Sequence, residues 1–208
     1  MRWTLAGGMV DLGSERWSSR ADGVNADGSV IAGWDEHPTY GNRRAAVWVN
    51  GVKTILDASD WPSEGTAVNS AGTIIVGSGA DPAHQTQVQA MMWKWNGSGW
   101  TPIPLGVMNG RGTDGIAYAS GVSDDGSFAV GVARKDVMSP KSVGWVWTPS
   151  SGMVELTEYM KANGMPPSKL YKPYNVTALS ADGKTFAIAE QLVVAPWTIR
   201  SRVIHRAP

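Results

Sequence analysis

The sequence predicts an all-β chain folded as a β-propeller of about four to five four-stranded blades. Three observations carry that reading. A ten-residue stretch with Gly at its turn recurs as Val24 to Gly33, Val68 to Gly77, Val122 to Gly131 and Leu179 to Ile188. A Trp follows each of the first three turns after 21 to 24 residues, at Trp48, Trp95 and Trp147. Glycine is abundant, 25 of 208 residues, and Trp outnumbers Phe by 11 to 2, as expected when tight turns and one aromatic position are repeated. A period of 40 to 60 residues with several short strands per period is the signature of propeller blades.

Each unit reads as strand A, a turn, strand B, a longer loop, strand C with its Trp, a short Gly turn, and strand D. Asp27-Gly28, Asp125-Gly126 and Asp182-Gly183 lie between short apolar runs and predict two-residue type I′ hairpin turns. In the second unit Ala71 takes the Asp position. The runs after Asn50-Gly51, after 96–99 and after 149–152 alternate with period two, as half-buried antiparallel strands do. The predicted organisation is one repeat domain over 1–208, with a half-unit at 1–20 and units at about 21–62, 63–113, 114–170 and 171–208. Trp3 to Leu12 reads as a C–D half, and the last unit offers strands A and B and a C strand around Trp197. Strand C is thus claimed twice, so both a small ring closed by the N-terminal strands and a piece of a longer array are compatible with the pattern. One segment departs from it. Thr157 to Gly164 has good helix formers, Thr157 as a candidate N-cap and Gly164 as a stop before Pro166-Pro167, predicting a short helix in the loop before the last blade.

Composition excludes several functions. There are 18 basic and 18 acidic residues, so no basic surface for nucleic acid or anionic membrane is expected. The absence of cysteine removes disulfides, thiolate nucleophiles and Cys-ligated metals. Met1 leads directly into Arg2-Trp3-Thr4 without an apolar leader, no run is long enough to span a bilayer, and no direct membrane insertion is expected. No phosphate loop, dinucleotide fingerprint or nucleophile elbow is present, so no cofactor is expected and no catalytic residue is assigned.

The hairpin pattern Val-[Asn/Ser]-x-[Asp/Ala]-Gly, together with Gly-Met-Val-x-Leu at 8–12 and 152–156, resembles the HAF-type repeats, described as probable extracellular repeats of bacterial surface proteins that include autotransporter passengers. The resemblance extends over essentially the whole chain. It implies a propeller-like secreted or cell-surface protein and carries no catalytic residue.

Strands alternate in direction, so A–B and C–D turns fall on one propeller face and B–C and D–A loops on the other. The first set is short and the second is long, polar and aromatic-bearing, which predicts binding on the long-loop face. The candidate ligand contacts there are Trp17, His37, Tyr40, Trp61, His84 and Arg134. His37 and His84, each near an Asp, could make a two-His-one-carboxylate metal site, but their spacing matches no known motif and no metal is assigned. Trp48, Trp95 and Trp147 are expected to be packing residues, and the turn Asp residues to be structural. The expected function is a non-catalytic extracellular binding or adhesion module whose partner is a glycan or a host or cell-surface protein. The alternatives are a structural spacer in a larger secreted passenger and a glycan-active propeller enzyme. An unclosed strand edge would also permit a homodimer.

Overall fold

The computed structural model describes all residues except 81–87, 109–114, 135–138, 140, 166, 195–197 and 207–208. The chain forms all-β, four-stranded antiparallel sheets arranged as propeller blades. The first blade contains β3 (Ser19–Val24), β4 (Val30–Glu36), β5 (Arg43–Val49) and β6 (Val52–Ile55). The second contains β7 (Glu64–Val68), β8 (Ile74–Ala80), β9 (Val88–Trp95) and β10 (Trp100–Gly106). The third contains β11 (Ile116–Val122), β12 (Ala129–Arg134), β13 (Ser142–Thr148) and β14 (Gly152–Glu155). The fourth has three strands, β15 (Tyr171–Leu179), β16 (Thr185–Leu192) and β17 (Ile199–His205). Ahead of them β1 (Arg2–Thr4) and β2 (Gly8–Val10) make a separate two-stranded hairpin. The sheets do not close into a ring: among the described residues neither N-terminal strand pairs with the fourth blade. The C position of that blade is held by β17, whereas Trp197 lies outside the described residues.

The Asp-Gly turns differ from the expected type I′ geometry. Among the described non-Gly residues only Asn50 has a positive φ, so the two-residue I′ turn is Asn50-Gly51. The A–B connections are longer. The Ser123 N–H donates to Phe128 O and the Gly126 N–H to Ser123 O, with Gly126 alone left-handed. The Asp instead accepts from a backbone amide two residues on: Ser29 on Asp27, Ser127 on Asp125, Lys184 on Asp182. Bonds from Ser123 and Ser127 hold the Asp125 carboxyl down to about 2. Ala71 is tolerated because Asn69 Oδ1 accepts both the Thr73 and the Ile74 N–H. These turns also tie blades together: Ala26 N–H to Ser70 O, Ser70 N–H to Asp124 Oδ1, and Asp124 N–H to Ala181 O.

Register places the repeated aromatic at Trp48, Trp93 and Trp147, which pair with Ile31, Ile75 and Ala129; Ile204 fills the position opposite Phe186 in the fourth blade. Trp95 is therefore corrected. It lies two residues beyond the repeated position, exposed, with its ring 5.5 Å from that of Trp100. Trp48 and Trp93 are fully buried and Trp147 half-buried. Burying a Trp removes on the order of 200 Å² from water, roughly 5 kcal/mol of apolar transfer.

Each A strand carries a bulge between Ala21 and Gly23, Gly65 and Ala67, Ala119 and Gly121, or Val176 and Ala178. Opposite the first three bulges stand Gly33, Gly77 and Gly131, where a Cβ would run into the carbonyl oxygens of Arg20, Glu64 and Tyr118. The bulged hydroxyls link neighbours: the single Thr66 O–H lies within reach of Val76 O of its own blade and Ala119 O of the next, and that of Ser120 within reach of Val130 O and Val176 O.

The helix is α1 (Leu156–Ala162), one residue earlier than expected. Its N-cap is Glu155 without a side-chain cap bond, not Thr157, because Leu156 is drawn into the core with Met160 one turn on. Gly164 is left-handed after the C-cap Asn163, as its place after the helix demands.

Candidate functional site

The segment that carries Trp17 is fixed by a buried carboxylate. Asp35 on β4 is fully buried and accepts from Ser14 Oγ at 2.8 Å, from the Glu15 N–H at 3.1 Å and from Lys53 Nζ. Burial alone would raise its pKa. The bonds from Lys53, Ser14 and Glu15 outweigh that and hold it below the usual carboxylate value. Glu15 in turn pairs with Arg44 at 2.6 Å and Lys53 at 3.4 Å, and the Trp48 indole donates to Leu12 O. Residues 12–15 are thereby pinned against the first blade.

From that anchor the loop presents Trp17, which is 81% exposed with Arg16 stacked on its ring at 4.1 Å. Glu36 Oε2 accepts the Trp17 and Ser18 amides and joins this loop to the one that follows β4. In that second loop His37 stacks on Tyr40 with centroids 4.8 Å apart. His37 Nδ1 accepts from the Thr39 and Tyr40 amides, which places the ring proton on Nε2, 3.8 Å from Asp60 Oδ1. Asn42 Nδ2 donates to Asp60 O, so the third loop, with Trp61, is held beside the second. The structure thus brings His37, Tyr40 and Trp61 together, with Trp17 one loop away. Arg134 stands exposed at the end of β12, close enough to Tyr118 for its charge to act on that phenol. His84 lies outside the described residues.

Between these loops, over the A strands, is a small cleft of about 90 Å³ lined by Arg43, Pro62, Ser63, Glu64, Ser78, Val88 and Tyr118. Glu64 Oε2 receives two guanidinium groups, Arg43 at 3.2 Å and Arg20 at 3.5 Å, while Arg20 Nε also donates to Asp22 at 2.7 Å. Both guanidinium groups lie over the Trp34 ring, at 4.9 Å for Arg43 and 5.6 Å for Arg20. The buried Trp34 indole nitrogen has no hydrogen-bond partner among the described residues. The Tyr118 hydroxyl is held above its ordinary pKa, chiefly by burial and then by Glu64, with Arg134 and Arg43 acting the other way. The arrangement offers N–H forks, a neutral phenol and flanking aromatic faces. It suits recognition of a polar, planar or anionic group.

Residue-by-residue reading of the loops missed Arg20, Glu64 and Tyr118. A signal existed. Each stands five residues before its turn residue, Asn25, Asn69 or Ser123, and the same count from Ser180 reaches Asn175. A varied polar residue at one fixed place in an otherwise Gly- and Ala-rich strand marks a position kept for something other than blade packing.

Among the described residues no group of three or more His, Asp or Glu side chains could hold a metal ion, and no helix is long and apolar enough to cross a membrane. No family model matches the chain, and no curated protein matches it. Solved structures do. A protein of Agrobacterium tumefaciens assigned as TolB superposes with a TM-score of 0.57 at 12% identity, over 90% of this chain and 61% of that one. TolB of Acinetobacter baumannii gives 0.52 at 12% identity, over 92% of this chain and 44% of that one. The chain spans less than two thirds of either relative's length. At such identity the likeness shows the fold, a β-propeller-like repeat array.

Proposed function

We propose that this chain is a non-catalytic binding module that engages a glycan through its long-loop face. The observation that carries the reading is the difference between the two faces. On the short-turn face, turn amides and carboxylates satisfy one another or bridge blades. On the other, Trp17, Tyr40 and Trp61 stand exposed, and Trp61 adjoins Pro62 in the wall of a cleft that also holds Arg43, Glu64 and Tyr118. Exposed aromatics on a rigid scaffold supply flat apolar faces with a polar rim, the surface that sugar rings stack on. The carboxylates there are engaged, Asp35 by Lys53, Glu36 by backbone amides and Glu64 by two arginines, which favours binding over acid–base catalysis. An extracellular or cell-surface setting and an adhesive role go with the resemblance to HAF-type repeats. Trp61→Ala and Tyr40→Ala are expected to weaken retention on an immobilised glycan panel by about tenfold each, about 1.4 kcal/mol, while shifting the melting temperature little. Binding that survives the double variant unchanged removes the reading.

A second copy of this chain is also proposed as a partner. Among the described residues β17 is an edge strand with Ile199 and Val203 exposed, and such an edge can pair antiparallel with itself about a two-fold axis. Light scattering should return a dimer at tens of micromolar that Val203→Lys converts to monomer. A wild-type monomer at every concentration rules the pairing out.

A further inference from the structure

We propose that the cleft at the head of the first three blades selects a carboxylate-bearing sugar, with Arg43, backed by Arg20, as the recognition residue. This rests on the glycan-binding reading above and names the class of sugar. Two guanidinium groups converge on one oxygen of one carboxylate, Glu64 Oε2. Arg43 donates a single N–H to that oxygen, and Arg20 stands at ion-pair distance from it while its Nε donates to Asp22. A guanidinium has five N–H donors in a fixed fork, so each retains donors that Glu64 does not occupy. Both side chains are about half exposed, Arg20 at 48% and Arg43 at 51%; Arg43 lines the cleft itself, and Arg20 stands behind its wall against Glu64.

The placement of the pair is specific. Trp34 lies beneath both groups and keeps them flat, and Ser63 is spent inward, accepting the Ala45 N–H through its Oγ. The Arg43 fork therefore borders the cleft, with Trp34 on its other side. Across it stands the Tyr118 phenol, which stays a neutral donor. With Arg134 beside Tyr118 and Asp57 against Ser63 and Gly79, the described charges around the cleft are three arginines against Glu64, Asp22 and Asp57, which balance. A ligand carboxylate meets the N–H donors that Glu64 leaves free in their preferred bidentate geometry. The aromatic flank sets the source of the carboxylate. Trp61 precedes Pro62 of the cleft wall, and Tyr40 is joined to the same loop through His37 and Asp60. Flat faces beside an anion fork match a uronic acid, whose ring carries both a stackable face and a carboxylate.

The test is titration calorimetry with tri-galacturonate, its methyl ester, a neutral trisaccharide and a tripeptide with a free C-terminal carboxylate. The expected result is that the acid form binds at least tenfold tighter than the ester and the neutral sugar. Arg43→Gln should remove that preference, Arg43→Lys should restore only part of it, and the preference should shrink as salt rises. Circular dichroism melts of the variants confirm that each is folded. Equal binding of acid and ester, or an unchanged preference in Arg43→Gln, overturns the proposal while leaving glycan binding intact. Binding of the peptide but of no sugar overturns the choice of a glycan source. Binding of nothing on the panel overturns both this inference and the reading it rests on.

Discussion

Alanine in place of Gly77 is expected to destabilise the protein by about 4 kcal/mol, a fall in melting temperature of roughly 12 °C for a domain of this size. Gly77 pairs with Gly65 just before the bulge of the second blade. A Cβ there would collide with the Glu64 carbonyl and crowd the Gly65 Cα, both backbone atoms that no side-chain rotation can clear. The A strand would have to move outward, carrying Glu64 with it. Because Glu64 is the anion on which Arg20 and Arg43 converge, the variant should also loosen the cleft. Gly99→Ala is the control. That residue sits in the turn before β10 with open space around its Cβ position and no left-handed backbone, so the expected change is below about 1 kcal/mol. Equal melting temperatures for the two variants would show that close strand approach at the bulge is not what the glycine provides.

The second large effect belongs to Asp35. Asp35→Asn keeps the shape of a fully buried side chain but takes the charge away from Lys53. Breaking one half of a buried pair costs about 3 kcal/mol, and the loss should appear near neutral pH as a melting temperature lower by roughly 9 °C. The pH dependence follows from the direction of the shift. The folded pKa is below the unfolded value of about 4, so the stabilisation is complete above that value and disappears as pH falls through the folded pKa. Wild type and variant should therefore differ at pH 7 and converge toward pH 2. The segment at 12–18, with Trp17, should exchange its amides faster in the variant. A gap of the same size at both pH values, or none at pH 7, contradicts the role assigned to Asp35.

Much of the architecture was legible because it is written as a repeat. Val24 to Gly33 and its copies specify a strand, a turn and a strand wherever they occur, and four copies leave few arrangements other than blades. The errors came where a local signal was read without its partner strand. Asp-Gly suggested a two-residue turn, yet Asn25, Asn69, Ser123 and Ser180 close a longer one with their side chains. Trp95 looked like the repeated aromatic because the pair Trp93 and Trp95 is ambiguous until register is known, and pairing with Ile75 selects Trp93. The cleft was the least legible part. Trp17, Tyr40 and Trp61 could be found as loop aromatics, but Arg20, Glu64 and Tyr118 come from three blades and meet only through the fold. Ring closure was undecidable from strand counting, and the structure leaves β1 and β2 apart from the fourth blade.

The most direct test of the central claim is the hydrogen-exchange footprint of the glycan retained best on the panel. Protection confined to 16–20, 37–43, 57–64 and 116–120 is the predicted result, with the turns at 25–29, 69–73 and 180–184 unchanged. Protection on those turns, with the cleft exchanging as in the free protein, would place the ligand on the opposite face and contradict it.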